Sequence, residues 1–188
     1  MEQHLKEYFN RYVSFEDKEI KTFLSKCEYK TYQKKDFILQ EGNICKYQYF
    51  ILEGLVRSYY IDKKGNEKIT QFAIENWWFT NMESFIKETP SHLFIQCIED
   101  SKILMISNEN LEKLYIAIPK LERLFRLINQ NMIIAIQKKN DFLSKLKSKD
   151  RYSNLVDNFP DFAQRVPLFM IASYLEITPE YLSEIRKK

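Results

Sequence analysis

Glycine is scarce in this chain, at 3 of 188 residues, and no stretch of the sequence holds the glycine-rich loop that cradles a phosphate. Histidine occurs twice, at His4 and His92, and cysteine three times, at Cys27, Cys45 and Cys97. Such dispersed ligands build neither a clustered metal site nor a disulfide framework. No Ser/His/Asp arrangement stands at motif spacing, so no enzymatic activity is expected. Apolar runs stay well short of the roughly 20 residues that span a bilayer. The opening residues are mixed in charge and lack the apolar core of a signal peptide. A cytoplasmic chain with reduced thiols, not attached to a membrane, is expected. Charge of one sign is also missing. The 29 basic and 26 acidic residues leave a net charge of +3, which permits nucleic-acid binding without arguing for it.

What is present is apolar and aromatic. Hydrophobic residues make up 45% of the chain and aromatics 15%, enough for a packed core. Residues 5–26 read as one or two short helices carrying Phe15, Ile20, Phe23 and Leu24, with Ser14 and Asp17 as an entry signal. From about 28 to 106 the texture changes to short β-like runs, among them YKTYQ, DFILQEG, YQYFILEG, LVRSYYID, KITQFAI, LFIQCIED and SKILMIS. Turn signals at Gly42, Gly54, Gly65 and Pro90 divide them, as in an antiparallel roll, barrel or sandwich. The chain is thus of the α+β class.

After Ser107 the pattern is helical again. A short helix over 110–118 is followed by a stretch from Pro119 to Leu146 with no glycine and no further proline. Leu121, Ile128, Ala135 and Phe142 recur every seven residues, and Phe125, Met132, Lys139 and Leu146 follow each by four. This is a heptad seam with one polar intrusion at Lys139. At 1.5 Å per residue the helix reaches about 40 Å, too long for a small roll to cover. Two readings stand: packing along its own domain, or a parallel homodimer seam through Leu121, Phe125, Ile128, Met132, Ala135 and Phe142.

Three more helical patterns fill 148–188. One runs from Asp150 to Phe159, and a second from Pro167 to Leu175. The third has Thr178 as its N-cap, Pro179 in its first turn and Leu182 and Ile185 as its buried stripe. The short gap between the second and third is that of a helix-turn-helix, although any three-helix bundle shares it. Glu176 occupies the turn where glycine is frequent, so the turn must admit an acidic side chain.

The stretches ILQEGNICKYQYFILEGLVRSYYIDKKGNEKITQFAIENWW (38–78) and QRVPLFMIASYLEITPEYLSEIRKK (164–188), with a heptad helix between them, carry a resemblance. The chain resembles the Crp/Fnr superfamily of bacterial regulators, in the short type common in Bacteroidetes. The resemblance implies a cyclic-nucleotide-binding-like β-roll sensor domain (1–118), a dimerisation helix (119–146) and a helix-turn-helix DNA-binding domain (147–188) without an evident wing. It implies a dimeric, sequence-specific transcriptional regulator of double-stranded DNA. Thr178, Glu180, Ser183, Glu184, Arg186 and Lys187 would face the DNA, with Arg165 and Lys149 on its backbone. Glu184 departs from the arginine usual in similar short proteins, and an acid near phosphates is repelled unless paired. A dimeric binding or scaffold protein that has lost operator recognition is therefore the alternative.

Nucleotide-binding relatives carry a Gly-Glu pair and, some ten residues on, an arginine for the cyclic phosphate. Here those places fall on Thr80-Asn81 and on Ser91 or His92. No cation stands there, so cyclic AMP and cyclic GMP are not expected as ligands. The segment could instead line an apolar pocket for an unidentified small molecule, with Trp77, Trp78, Met82 and Phe85 as walls and Thr80, Asn81, Ser91 and His92 as polar groups. The other reading is that the aromatics fill the space and the roll is a rigid platform. The cysteines do not reproduce the N-terminal cluster of the family's iron–sulfur sensors, and no cofactor is expected.

Overall fold

The computed structural model describes residues 1–186. Two short helices come first, α1 (Glu2–Asn10) and α2 (Asp17–Leu24). The entry to α2 is a capping box in which Glu16 and Glu19 satisfy each other's backbone N–H groups. The cap thus falls on Glu16 rather than Ser14, because Glu19 is the residue that reaches back.

The β region contains β1 (Glu28–Tyr32), β2 (Phe37–Leu39), β3 (Tyr47–Glu53), β4 (Val56–Ile61), β5 (Glu67–Ala73), β6 (Trp78–Phe79), β7 (Phe94–Cys97) and β8 (Ser101–Ser107). They form two four-stranded sheets, ordered β1-β8-β3-β6 and β2-β7-β4-β5. A short helix, α3 (Met82–Lys87), follows β6.

Alternation along β3 and β8 sets the two cores. Tyr49, Ile51, Ile103 and Met105 point into the roll, where Tyr32, Phe79, Phe85, Ile95 and Cys97 complete the packing. Their neighbours Phe50, Leu104 and Ile106 point to the other face, against Phe9, Phe23 and Trp78. The antiparallel register pairs Phe50 with Leu104 and Ile51 with Ile103, so a one-residue slip would exchange the two cores. Both faces being covered explains why these strands read as continuous apolar runs. Gly54 makes the β3–β4 turn at φ +105. A Cβ there would collide with Ser101 Oγ and lie 2.7 Å from the Asp100 carbonyl oxygen.

The roll also holds the cysteines, Cys45 and Cys97 buried and Cys27 partly so. Burial pushes the Cys27 thiol up to about 12 and the Cys97 thiol up to about 11.

After α4 (Asn108–Ala117), capped by Ser107, comes the long helix α5 (Lys120–Lys145). Its first half belongs to the core of the first helices and the roll's outer face. Leu121, Leu124, Phe125 and Ile128 are at most 7% exposed and pack in the cluster of Phe23 and Trp78. Leu121, Phe125 and Ile128 therefore do not face outward as the dimer-seam reading required. The physical reason is that the outer face of the roll needs an apolar lid, and the first turns of α5 provide it. Farther along, Met132 and Phe142 are half-buried, Ala135 is exposed, and Ile133, Ile134 and Ile136 stand out as exposed apolar side chains.

The chain then forms α6 (Ser148–Asn158), α7 (Pro160–Arg165), α8 (Leu168–Tyr174) and α9 (Pro179–Ile185). Packing divides the whole into two compact units. One is 1–58 with 72–131, and the other is the hairpin segment 59–71 with the chain from Met132 onward. Leu155, Val166, Ile171, Ala172, Leu175 and Leu182 supply the small core of the second. Among the described residues, no helix is long and apolar enough to cross a membrane.

Candidate functional site

The helix-turn-helix is built by α8, the turn Leu175–Ile177 and α9. Ile171 and Ala172 on α8 and Leu182 on α9 are buried at their contact. Glu176 sits in the turn with φ +57, the left-handed conformation normally left to glycine. The Ile177 N–H donates to the Ala172 carbonyl (3.0 Å) and the Glu176 N–H to the Ser173 carbonyl (3.2 Å). This is a Schellman closure, and it turns the chain in the space glycine would use. The Glu176 side chain remains exposed, so the acid costs backbone strain but no burial.

The Thr178 hydroxyl oxygen accepts from the Tyr181 N–H (3.2 Å), which caps α9. Ser183 Oγ donates to the Pro179 carbonyl (2.9 Å), one turn back in the same helix. Both hydroxyls expected to meet DNA are thus occupied by their own helix. Glu180, Ser183 and Glu184 are exposed and, at helical spacing, lie on the side of α9 away from the buried Leu182, while Arg186, the C-cap residue, is also exposed. Arg165, at the end of α7, is half-buried. Lys187 lies outside the described residues. Periodicity from Leu182 also exposes Tyr181, an aromatic in the first turn that the sequence reading left out.

Sequence reasoning also missed Arg151. Its guanidinium donates to the carbonyls of Leu146 (3.2 Å), Leu175 (2.8 Å) and Leu143 (2.6 Å). Nothing in the local sequence distinguishes this arginine from a solvated one on a polar helix face.

The cassette around α3 disperses the residues expected to line one pocket. Trp77 is exposed, while Trp78 turns to the helix-side core, its ring 5.0 Å from Phe125 and 5.2 Å from Phe50. Trp77 lies just before β6 and faces solvent while Trp78, inside it, is buried, so the pair does not form one wall. Phe85 is buried in the roll interior and His92 is exposed. Met82 packs partly buried against the roll core.

The polar members are spent on local structure. Asn81 caps α3 by accepting from the Ser84 N–H (3.2 Å), and its amide donates to Ser91 Oγ (2.8 Å). The Ser91 hydroxyl also bonds the Leu93 backbone (2.9 Å). Thr80 Oγ1 donates to the Tyr47 carbonyl (2.9 Å) and lies 3.3 Å from Cys45 Sγ. Ser84 Oγ accepts from the Cys45 N–H (2.8 Å) and donates to the Thr89 carbonyl (2.6 Å).

Residues 29–117 match the family model for the cyclic nucleotide-binding domain. The chain is 28% identical to Electron transport regulator A of Shewanella oneidensis over 83% of its own length and 66% of that relative. It is likewise 28% identical to Regulatory protein HlyX of Actinobacillus pleuropneumoniae, over 83% of this chain and 69% of that one. The chain is similar to these regulators, and the family match covers somewhat less than half of it. This chain spans about two thirds of the length of the curated relatives it matches.

Solved structures share its fold. FixK2 from Bradyrhizobium japonicum aligns with a TM-score of 0.72 at 18% identity, over 86% of this chain and 83% of that one. The c-di-GMP responsive regulator CLP of Xanthomonas campestris aligns with a TM-score of 0.75 at 16% identity, over 92% of this chain and 90% of that one. The roll, the long helix and the small helical C-terminal region are the elements these two folds have in common with the present chain.

Proposed function

We propose that this chain is a dimeric, sequence-specific DNA-binding transcriptional regulator that does not respond to cyclic AMP or cyclic GMP. The observation that carries the reading is the Schellman-closed, Thr178-capped helix pair, whose second helix leaves Glu180, Tyr181, Ser183 and Glu184 exposed on one surface. The 28% identity to two bacterial regulators supports it. Glu180 accepts from cytosine N4, and Ser183, once released from the Pro179 carbonyl, meets a phosphate or a base edge. The second half of α5 supplies the dimer contact through exposed Ile133, Ile134 and Ile136, with Met132 and Ala135 beside them.

The cyclic-nucleotide part of the reading rests on Asn81 and Ser91. Where relatives place the ribose-binding glutamate and the phosphate-binding arginine, these two side chains bond each other at 2.8 Å. A cyclic phosphate would meet neither a cation nor a free convergent donor there.

Selection from a random duplex pool with purified protein and no effector tests the proposal. The expected product is a palindrome whose half-sites lie about one helical turn, roughly 34–36 Å, apart. A pool that remains random would overturn sequence-specific recognition. It would favour the second reading, a dimeric binding or scaffold protein, which the exposed acids Glu180 and Glu184 support.

A further inference from the structure

Three consecutive residues at the C-terminal end of α8 are each tied to a different element. Ser173 Oγ accepts from the Ile69 N–H (3.1 Å) and donates to the Glu67 carbonyl (2.9 Å). Glu67 and Ile69 lie on β5, the outermost strand of its sheet, so one hydroxyl stands in for a neighbouring strand. The Tyr174 ring carries the Lys139 ammonium 3.9 Å from its centroid, and Lys139 also donates to the Thr70 carbonyl (2.7 Å). The polar intrusion of the heptad pattern is thereby accounted for. Lys139 turns to the hairpin and α8 rather than to a second copy.

The third tie is Arg151. The last carbonyls of a helix have no N–H one turn on, and they carry its negative partial charge. Leu143 and Leu146 lie in and just past the last turn of α5, and Leu175 is the C-cap of α8. One guanidinium therefore caps two helix ends at once, from the first turn of α6. Lysine, with a compact ammonium, lacks the planar fork that reaches both.

We propose that residues 173–175 form a three-point clamp that fixes the reading head against the second half of α5, with Arg151 as its principal positioning residue. This rests on the proposal that α9 reads DNA. The clamp sets the angle at which α9 leaves α5, and in a dimer that angle sets the separation of the two half-sites.

The test has two arms, so that failure of the clamp and failure of the DNA-binding reading are told apart. In the first, without DNA, spin labels at Lys138→Cys and Phe169→Cys in a Cys27→Ser background report the distance from α5 to α8. Labelled subunits are diluted into unlabelled ones so that each pair is intramolecular. A narrow distance distribution is expected. It should broaden in Arg151→Met and narrow again in part in Arg151→Lys, a rescue that a residue needed only for folding would not give. An unbroadened distribution in Arg151→Met overturns the clamp.

In the second arm, duplexes with half-site separations stepped by one base pair are offered to both proteins. The parent should prefer one spacing by about fivefold or more, and Arg151→Met should lose that preference while still binding a single half-site. A retained spacing preference also overturns the proposal. If the parent binds none of the duplexes, the DNA-binding reading fails while the first arm still judges the clamp. Should Arg151→Met not fold, Ser173→Ala takes its place in both arms with the same expectations.

Discussion

At the scale of single residues, two positions in the C-terminal unit carry energies that can be read out alone. Glu176 holds a left-handed backbone without being glycine. The left-handed region costs an L-residue roughly 1–2 kcal/mol, against which glycine loses extra freedom on folding. Glu176→Gly is expected to stabilise the protein by about 0.5–1 kcal/mol, seen as a higher midpoint in urea. An unchanged or lower midpoint would show that the side chain contributes something the backbone argument omits.

Lys139 gives a pH signature. Burial lowers its pKa to about 8, against the raising effect of Glu176. The groups facing it are the Glu176 carboxylate, the Thr70 carbonyl and the Tyr174 phenol, whose own pKa burial raises, so that it stays neutral. A lysine in the unfolded chain titrates near 10.4. Between those values the unfolded state holds a proton that the folded state has released, so stability rises with pH across that window. Below about 8 the folded state bears the full cost of the buried charge. Relative to Lys139→Met, the parent should therefore gain stability from about pH 8 to pH 10, as measured by denaturant midpoints at each pH. Parallel profiles for the two proteins would refute the buried-ammonium assignment.

At the scale of elements, α5 has a buried first half and a second half with exposed isoleucines, which the proposal makes the dimer contact, and substitutions separate them. Leu121→Asp or Ile128→Asp puts an unpaired charge into the helix-side core and should abolish folding, visible as loss of the near-UV aromatic signal. Ile134→Asp leaves that core untouched and should yield folded monomers by light scattering. A dimeric Ile134→Asp protein would place the contact elsewhere. In the roll, Gly54→Ala combines a positive φ with a collision at Ser101 and should cost upwards of about 2 kcal/mol.

The same helix shows how far the sequence could be read. Its boundaries, expected at 119–146, come out as Lys120–Lys145, because the absence of breakers is a local property. Its partner was not legible. A heptad seam and an amphipathic stripe buried on one's own domain share the positions Leu121, Phe125 and Ile128, and only the tertiary fold decides between them. The β runs and the helix-turn-helix were likewise visible as local patterns. The two-residue strand β6 and the short helix α7 were not, being too brief to show periodicity. In the cassette, residue types suggested a polar-rimmed pocket, but whether Asn81 faces a ligand or Ser91 depends on backbone geometry that composition does not carry.

At the scale of the whole molecule, the roll matches the cyclic nucleotide-binding domain over residues 29–117, yet its Asn81 and Ser91 side chains are closed onto each other. Cyclic AMP or cyclic GMP at millimolar concentration should release no heat in a calorimetric titration and leave the melting temperature unmoved. A ligand that binds only the folded state at a hundred times its Kd would add about 2.7 kcal/mol, a shift too large to overlook. Such a shift would show that the Asn81–Ser91 bond opens.

The distribution of thiols has a practical consequence. Cys27, Cys45 and Cys97 all belong to the roll unit, and burial holds Cys27 near 12 and Cys97 near 11, so at pH 8 almost none of either is thiolate. Alkylation of the buried Cys45 and Cys97 by iodoacetamide must then wait for the roll to open and is blind to opening of the C-terminal unit. The protein carries its own stopwatch: mass spectrometry of alkylated cysteines times the breathing of one unit, and the difference from global unfolding rates times the other.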